Sequence, residues 1–490
     1  MDGVVSALKL IDVTLRDAHQ SLWATRMTSA MMAPWLTALD RVGFHTVDLV
    51  GGAVFDVCVR YLHENPWFRM RMAAQKIRRT PLNVWIRGQS LFTFELFADD
   101  VVAATVRHIA ACGIRRITTY DALNDMRNVR SSVEAAKSAG LGVTGAIVYT
   151  CSPVHTDAYY KVRTRELVAL DVDRLCLKDP SGLLTPERTR TLVPAVKRAA
   201  KGVPLELHSH CLSGLAPRVY AEAMDLGVRY LHTAVSPLAN GASLPAAEYV
   251  IEQARKRKFT VPVKTGALRE MAGYFAWVAR REDKPLGQPA RYDPSMYEHQ
   301  VPGGMISNLQ TQLRAAGLAD RLESVLQEVA RVRADLGYPV MVSPFAQFLA
   351  TQATLNVVQG ERYKTIPDEI RKYARGYYGR AAAPMSPEFL DRAIAGTKRV
   401  TGRPGDHIAP AIPRLVKEKG PFRDYDHLLL AAYYDDALVQ PVLARGDEVA
   451  RSLRFVTTPL QELVDYLMRR TDIEIARLKI GDFELNAGSR

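Results

Sequence analysis

The chain has only five cysteines, Cys58, Cys112, Cys151, Cys176 and Cys211, with no C-x-x-C pair among them. An odd, scattered set argues against a disulfide framework or a thiolate zinc site and fits a reducing cytoplasm. No apolar run approaches the ~20 residues that cross a bilayer, so no membrane span is expected. The opening MDGVVSALKLID lacks the charged and then apolar stretches of a secretory signal. No G-x-G-x-x-G follows the first apolar run, which disfavours a dinucleotide-binding open sheet, and there is no glycine-rich loop for ATP phosphates. Low-complexity tracts are absent too.

What the 490 residues do contain is a net charge of +13. Its Lys and Arg residues are interleaved with Asp and Glu along helical stretches, and the one short basic run, Arg255–Lys258, reads as a solvated helix end. The charge therefore points away from nucleic acid and towards an acidic partner or an anionic substrate. Eight short apolar or β-branched runs begin near residues 8, 45, 82, 115, 142, 173, 204 and 230, with amphipathic stretches between them. Many of those stretches end in a glycine, as helices do. Eight strands alternating with helices over ~240 residues predict an α/β fold, a TIM (β/α)8 barrel spanning residues 1–290. A mainly helical C-terminal domain is expected over 291–400. The remainder, 401–490, reads as a weakly anchored tail ending in a helix and one or two short strands.

A barrel gathers reactive groups at the C-terminal ends of its strands. There the runs end in Arg16-Asp17, Gly51-Gly52, Arg87-Gly88, Asp121, Tyr149, Lys178-Asp179, His208-x-His210 and Ser236-Pro237. Alternate strand residues share a side, so His208 and His210 face one way, as a divalent-metal pair or as two hydrogen-bonded interior histidines. Asp17 adds a hard carboxylate, unless it only pairs with Arg16. Lys178 is costly at the end of a buried strand unless it is neutral, modified or paired with Asp179. Arg87 offers a planar fork for a carboxylate, or makes a structural ion pair.

RDAHQSLWATRM (Arg16–Met27), VGGAVFDVCVRYLHENPW (Val50–Trp67), YDALNDMRN (Tyr120–Asn128), YTCSPVHT (Tyr149–Thr156), LCLKDPSGLLTP (Leu175–Pro186) and EHQVPGGMISNL (Glu298–Leu309) carry a resemblance. They resemble the biotin-dependent carboxyltransferases: the carboxyltransferase domain of pyruvate carboxylase, the oxaloacetate decarboxylase alpha subunit and the transcarboxylase 5S subunit. Leu336–Ile366 is similar to the helical domain that follows the barrel there. The resemblance runs over roughly residues 8–380. It implies a zinc, cobalt or manganese ion held by Asp17, a carboxylated Lys178, His208 and His210. It also implies Arg87 and Gln20 at the 2-oxo acid, with Arg16 beside them. The implied reaction is reversible carboxyl transfer between biotin and pyruvate, in which an enolate attacks CO2 released from carboxybiotin.

Departures from that pattern stand out. Asn240-Gly241-Ala242-Ser243-Leu244-Pro245 replaces a Gly-Thr-Ser-Gln-Pro type segment, so Ala242 lacks the hydroxyl of a proton-relaying threonine. Phe94 stands where a tyrosine is usual, Val50 where a tryptophan often precedes Gly-Gly, and Cys211-Leu212 follow His210 in place of Asp-Thr. Three readings follow: Ser243 takes over the relay, the acceptor differs from pyruvate, or the subunit is a scaffold. A Claisen- or aldol-type lyase or synthase, which also uses an early Arg-Asp and a later His-x-His, is the more distant alternative. No lysine is followed by methionine, so the Met-Lys-Met biotinylation motif is missing. The expected partners are accordingly a separate biotin carboxyl carrier protein and a biotin carboxylase subunit. The stretch from Leu460 to Gly488 loosely resembles the segment before the biotinyl domain in some carriers and reads either as a docking element or as an ordinary helix-strand tail packed on the barrel. The family implies a homo-oligomer, dimer or larger.

Overall fold

The computed structural model describes residues 7–302, 306, 309–310, 313–315, 317–452, 462–464, 466–467, 475–480 and 483–488. Eight parallel strands close into a barrel: β1 (Lys9–Asp12), β2 (Thr46–Val50), β3 (Leu82–Ile86), β4 (Arg116–Tyr120), β5 (Gly142–Val148), β6 (Arg174–Asp179), β7 (Leu205–Ser209) and β8 (Tyr230–Thr233). Each strand pairs with its sequence neighbour, and β8 closes on β1, with Lys9 opposite Tyr230 and Asp12 opposite Thr233. The expected strand starts hold within two residues. One end differs: β1 stops at Asp12, and the chain then winds through a single wide helical turn, Thr14–Ala18, that carries Arg16 and Asp17.

Period-two alternation splits each strand between two surroundings. Outward residues such as Val47, Val84, Ile117, Val143, Leu175, Leu207 and Leu231 join the apolar core beneath the surrounding helices. Inward residues are largely polar: Asp48, Asn83, Thr118, Thr144, Glu206 and His232 line one small enclosed space. A barrel interior is usually filled by branched aliphatic side chains; here a hydrogen-bonded polar column takes their place.

Helices Leu322–Asp335, Phe345–Gln359, Asp368–Ala374 and Pro387–Ile394 build a second core together with Trp85, Tyr120, Ala146, Val148 and Cys176 at the top of the barrel. Polar ties lock this helical part to the strand ends. Buried Arg333 donates to the Cys151 carbonyl and to Thr150 Oγ1, both at 2.9 Å. Gln300 Oε1 accepts from Thr150 Oγ1 at 2.8 Å, and Asn128 Nδ2 donates to the Tyr378 carbonyl at 2.9 Å. The Gly303-Gly304 turn of the EHQVPGGM motif lies outside the described residues.

The expectation of a weakly anchored connector beyond Arg403 is corrected. Arg403 is buried against Asp99, Gln89 and Ser131. Asp426 accepts from Arg71, His108 and Asn65. Leu429, Leu430, Val439 and Val442 enter the main barrel core. Hydrophobic burial and charge-assisted hydrogen bonds thus hold residues 403–445 on the barrel wall, a tertiary effect that local composition does not signal. Of the expected terminal elements, β9 (Ile475–Ile480) and β10 (Phe483–Gly488) form an antiparallel hairpin. Most of the expected helix before them lies outside the described residues.

Burial pushes the Asp426 carboxyl up, but hydrogen bonds from Arg71, His108 and Asn65 outweigh it and hold its pKa well below the usual range. A depressed folded-state pKa gives stability that is present above the unfolded pKa and lost as pH falls. Asp426→Asn is therefore expected to cost roughly 1–3 kcal/mol at pH 7. The gap to wild type should shrink below about pH 4, as urea midpoints at the two pH values would record.

Candidate metal centre and substrate pocket

At the C-terminal mouth four side chains from three parts of the chain converge. Asp17 Oδ2 lies 3.2 Å from His208 Nε2 and 3.7 Å from Lys178 Nζ. Asp17 Oδ1 lies 3.5 Å from His210 Nε2. The two Nε2 atoms are 3.3 Å apart, and Lys178 Nζ is 3.4 Å from His208 Nε2. Residues 178 and 208 are register partners on β6 and β7, which explains that pair. Asp17 reaches them because the turn after β1 folds over the mouth.

All four are buried. Burial raises the Asp17 carboxyl, but Arg16, His210 and Lys178 more than offset it, so the pKa lies well below the usual range. Burial, and then Lys178, hold His208 well below an ordinary histidine. Lys178 is pushed down to about 8, chiefly by burial. At neutral pH the cluster thus offers an ionised carboxylate and a neutral imidazole, the states that ligate a divalent cation. His210 Nδ1 sits 2.7 Å from the Ala242 carbonyl, an acceptor, which places a proton on Nδ1 and turns Nε2 towards Asp17. Two facing ring nitrogens and a carboxylate thus surround a point that a cation would satisfy. The donor set fits a divalent metal with nitrogen and oxygen ligands.

The alternatives read from sequence resolve separately. Asp17 does pair with Arg16, at 2.5 Å, while also facing the histidines. Lys178 does not pair with Asp179, whose oxygens accept from Leu183 N, Leu184 N and Ser209 Oγ on the other side of the strand. Arg87 makes no ion pair among the described residues; its Nη1 donates to the Phe92 carbonyl at 3.0 Å and the Thr93 carbonyl at 3.3 Å. Phe94 is 41% exposed and lies with its ring 5.0 Å from the guanidinium. Both line a cavity with Asp121, Ala122, Pro344, Phe345 and Tyr378, so barrel and helical part share its walls. Gly52 makes room for Arg87: a Cβ there would fall 1.9 Å from Nη1.

Gln20 is half-buried on the one-turn helix His19–Leu22, directly after Asp17. In the loop after β8, Ala242 is half-buried while Ser243 is fully buried, its Oγ without a partner among the described residues.

Sequence reasoning missed the floor of the cluster. Trp85 lies beneath the guanidinium of Arg16 at 4.6 Å and the ammonium of Lys178 at 4.7 Å. Its Nε1 donates to Asp48 Oδ2 at 2.6 Å, and Asn83 Nδ2 donates to Asp48 Oδ1 at 2.7 Å. His232 stands between Asp48 and Glu206, with Nδ1–Oδ2 3.6 Å and Nε2–Oε2 3.1 Å. The signal was present: polar residues at alternate positions of β2, β3, β7 and β8 mark the inward face. Cys176, Glu206 and His232 also group at metal-ligand spacing. Arg174, 3.3 Å from Glu206, and the two carboxylates on His232 give that second group a salt-bridge reading instead.

A closed (β/α)8 barrel whose mouth gathers Asp17, Lys178, His208 and His210 beneath a helical part is an enzyme-type barrel with a candidate metal site beside an arginine-bearing, largely apolar pocket. Similarity to known proteins sharpens that class. The HMGL-like family model matches residues 7–274, and the conserved carboxylase domain model matches 296–443. A pyruvate carboxylase subunit of Methanocaldococcus jannaschii is 41% identical over 439 residues, covering 88% of this chain and 77% of that one. The methylmalonyl-CoA carboxyltransferase 5S subunit of Propionibacterium freudenreichii subsp. shermanii is 33% identical, covering 85% and 83%. The carboxyl transferase domain of Rhizobium etli pyruvate carboxylase, solved with oxamate and biotin, superposes with a TM-score of 0.84 at 26% identity, covering 90% and 78%. The chain belongs to the biotin-dependent carboxyltransferases, the family of the pyruvate carboxylases and the transcarboxylase 5S subunit.

Trp85→Leu removes the indole donor from buried Asp48 and leaves a void under Arg16 and Lys178. It is expected to cost roughly 3–5 kcal/mol, read from urea denaturation.

Proposed function

We propose that this chain transfers a carboxyl group between biotin, brought by a carrier protein, and a small 2-oxo acid of the pyruvate/oxaloacetate type. The observation that supports it most is the convergence of Asp17, Lys178, His208 and His210 beside a pocket lined by Arg87. A zinc, cobalt or manganese ion held by Asp17, His208, His210 and a carboxylated Lys178 would act as a Lewis acid on the 2-oxo oxygen. Burial, which brings the Lys178 amine to about 8, leaves it partly neutral near pH 7, the form that takes up CO2.

The chain's own residues then divide the work. Arg87 grips the substrate carboxylate with its fork, while its remaining donors stay fixed on the Phe92 and Thr93 carbonyls. Arg16, held between Asp17 and the Trp85 ring, adds positive charge where the enolate oxygen forms. Gln20 contributes an amide from the short helix that follows. Phe94 and Phe345 wall the pocket and keep water from the carbanion carbon. A proton must pass between the substrate methyl and biotin; Ala242 cannot carry it, and Ser243 supplies the hydroxyl of that loop.

The residue ranges carry parts of the same reading. Residues 1–290 hold the metal centre, 291–400 complete the funnel above it, and 401–490 offer a docking element for the carrier and a biotin carboxylase subunit. The protein works as a dimer or larger assembly in the cytoplasm. The loss of hydroxyls at Ala242 and Phe94 favours one second reading, a pocket recut for another 2-oxo acid. The large subunit of 2-oxoglutarate carboxylase from Hydrogenobacter thermophilus is 36% identical over 397 residues.

Two measurements test this. Purified protein is expected to exchange carboxyl between pyruvate and oxaloacetate when free biotin is supplied. Exchange with 2-oxoglutarate alone would select the second reading, and none with either acid would leave a scaffold role. Arg87→Lys, which keeps charge but loses the fork, is expected to raise KM for the 2-oxo acid about tenfold or more with metal content unchanged. An unchanged KM would remove Arg87 from the substrate.

A further inference from the structure

The N-terminal mouth of the barrel, opposite the metal cluster, gathers cations from the first residues of several strands. Lys9 starts β1, His45 precedes β2, Arg116 starts β4, Arg174 starts β6 and Tyr230 starts β8. Lys9 Nζ lies 5.0 Å from the Tyr230 ring centroid and donates to its hydroxyl at 3.1 Å. The Arg174 guanidinium lies 4.5 Å from the same ring, and the His45 ring 5.2 Å from it. Arg116 Nη2 donates to Thr144 Oγ1 at 3.3 Å, and Thr144 in turn to Glu206 Oε1 at 3.4 Å. One tyrosine ring and one threonine thus gather Lys9, His45, Arg116 and Arg174 at the N-terminal rim of the barrel.

Carboxylates are too few to balance them. Glu206 Oε1 takes Arg174 at 3.3 Å, and its Oε2 faces His232 at 3.1 Å. Asp173 accepts from Val143 N and lies 3.5 Å from Lys137. Among the described residues neither Lys9 nor Arg116 has a carboxylate at ion-pair distance. Crowded like charges in a half-buried setting repel. Burial, and then Arg174 and Lys9, push His45 down to about 4, and burial with Arg174 lowers Arg116. An anion seated on this rim would relieve the repulsion.

Shape limits what the anion can be. The rim closes a barrel whose interior is packed with side chains, so a ligand there must sit on the rim and a polypeptide cannot enter. Arginine forks favour two or more oxygens on one centre. We propose that the N-terminal mouth binds a small multivalent oxyanion of the phosphate class, held by Lys9, Arg116 and Arg174 with the Tyr230 hydroxyl beside them. The ligand is either free phosphate or the phosphate of a small ester.

Calorimetric titration of the full chain at constant ionic strength tests this, with inorganic phosphate, glycerol phosphate and acetate as probes. Wild type is expected to bind phosphate saturably, and Lys9→Gln and Arg116→Gln to weaken it about tenfold or more each. Tighter binding of glycerol phosphate would assign an esterified ligand, and tighter binding of inorganic phosphate a free one. Equal affinity in folded variants, or the same response to acetate, would overturn the site. Phosphorus NMR on wild type alone decides the matter if a variant fails to fold: absence of line broadening contradicts the proposal.

Discussion

Everything at the C-terminal mouth depends on the closure of β8 onto β1. Lys9 pairs with Tyr230 and Asp12 with Thr233, and Val13 N donates to the Thr233 carbonyl at 2.9 Å. That seam fixes where the turn Thr14–Ala18 begins and so sets Asp17 over His208 and His210. Without it, residues almost two hundred positions apart would not share a site. The remaining ligand candidate, Lys178, needs only the β6–β7 register.

The interior polar column is the second constraint. Glu206, His232, Asp48 and Trp85 run from the lower barrel to the underside of Arg16 and Lys178. Burying so many polar groups is costly unless each is satisfied. Here most are, and the return is a floor whose parts cannot move independently. Burial opposes a charged His232, yet the carboxylates of Asp48 and Glu206, with Cys176 beside them, raise its pKa well above the ordinary value. That imidazolium holds two carboxylates apart along the column.

Much of this was legible in the sequence. Eight β-branched runs gave the barrel because period-two patterning reports which strand face meets the helices. Asp17, Lys178, His208 and His210 could be named because strand ends carry a barrel's chemistry. Three things were hidden. Val50, where a tryptophan was expected, gave no sign that Trp85 on adjacent β3 packs beside Gly51 and under Arg16. The anchoring of residues 403–445 rests on Asp99, Arg71 and His108, partners some three hundred positions away, which no local pattern reveals. The loop Asn240–Leu244 also looked like a broken relay, yet its Ala242 carbonyl orients His210, a role that any side chain at 242 would permit.

The most direct measurement of the central claim, that these four side chains are one metal centre, is metal content by mass spectrometry of the wild type and of Lys178→Ala. The account predicts close to one divalent ion per chain in wild type and a clear loss in the variant. Full occupancy in folded Lys178→Ala would contradict it.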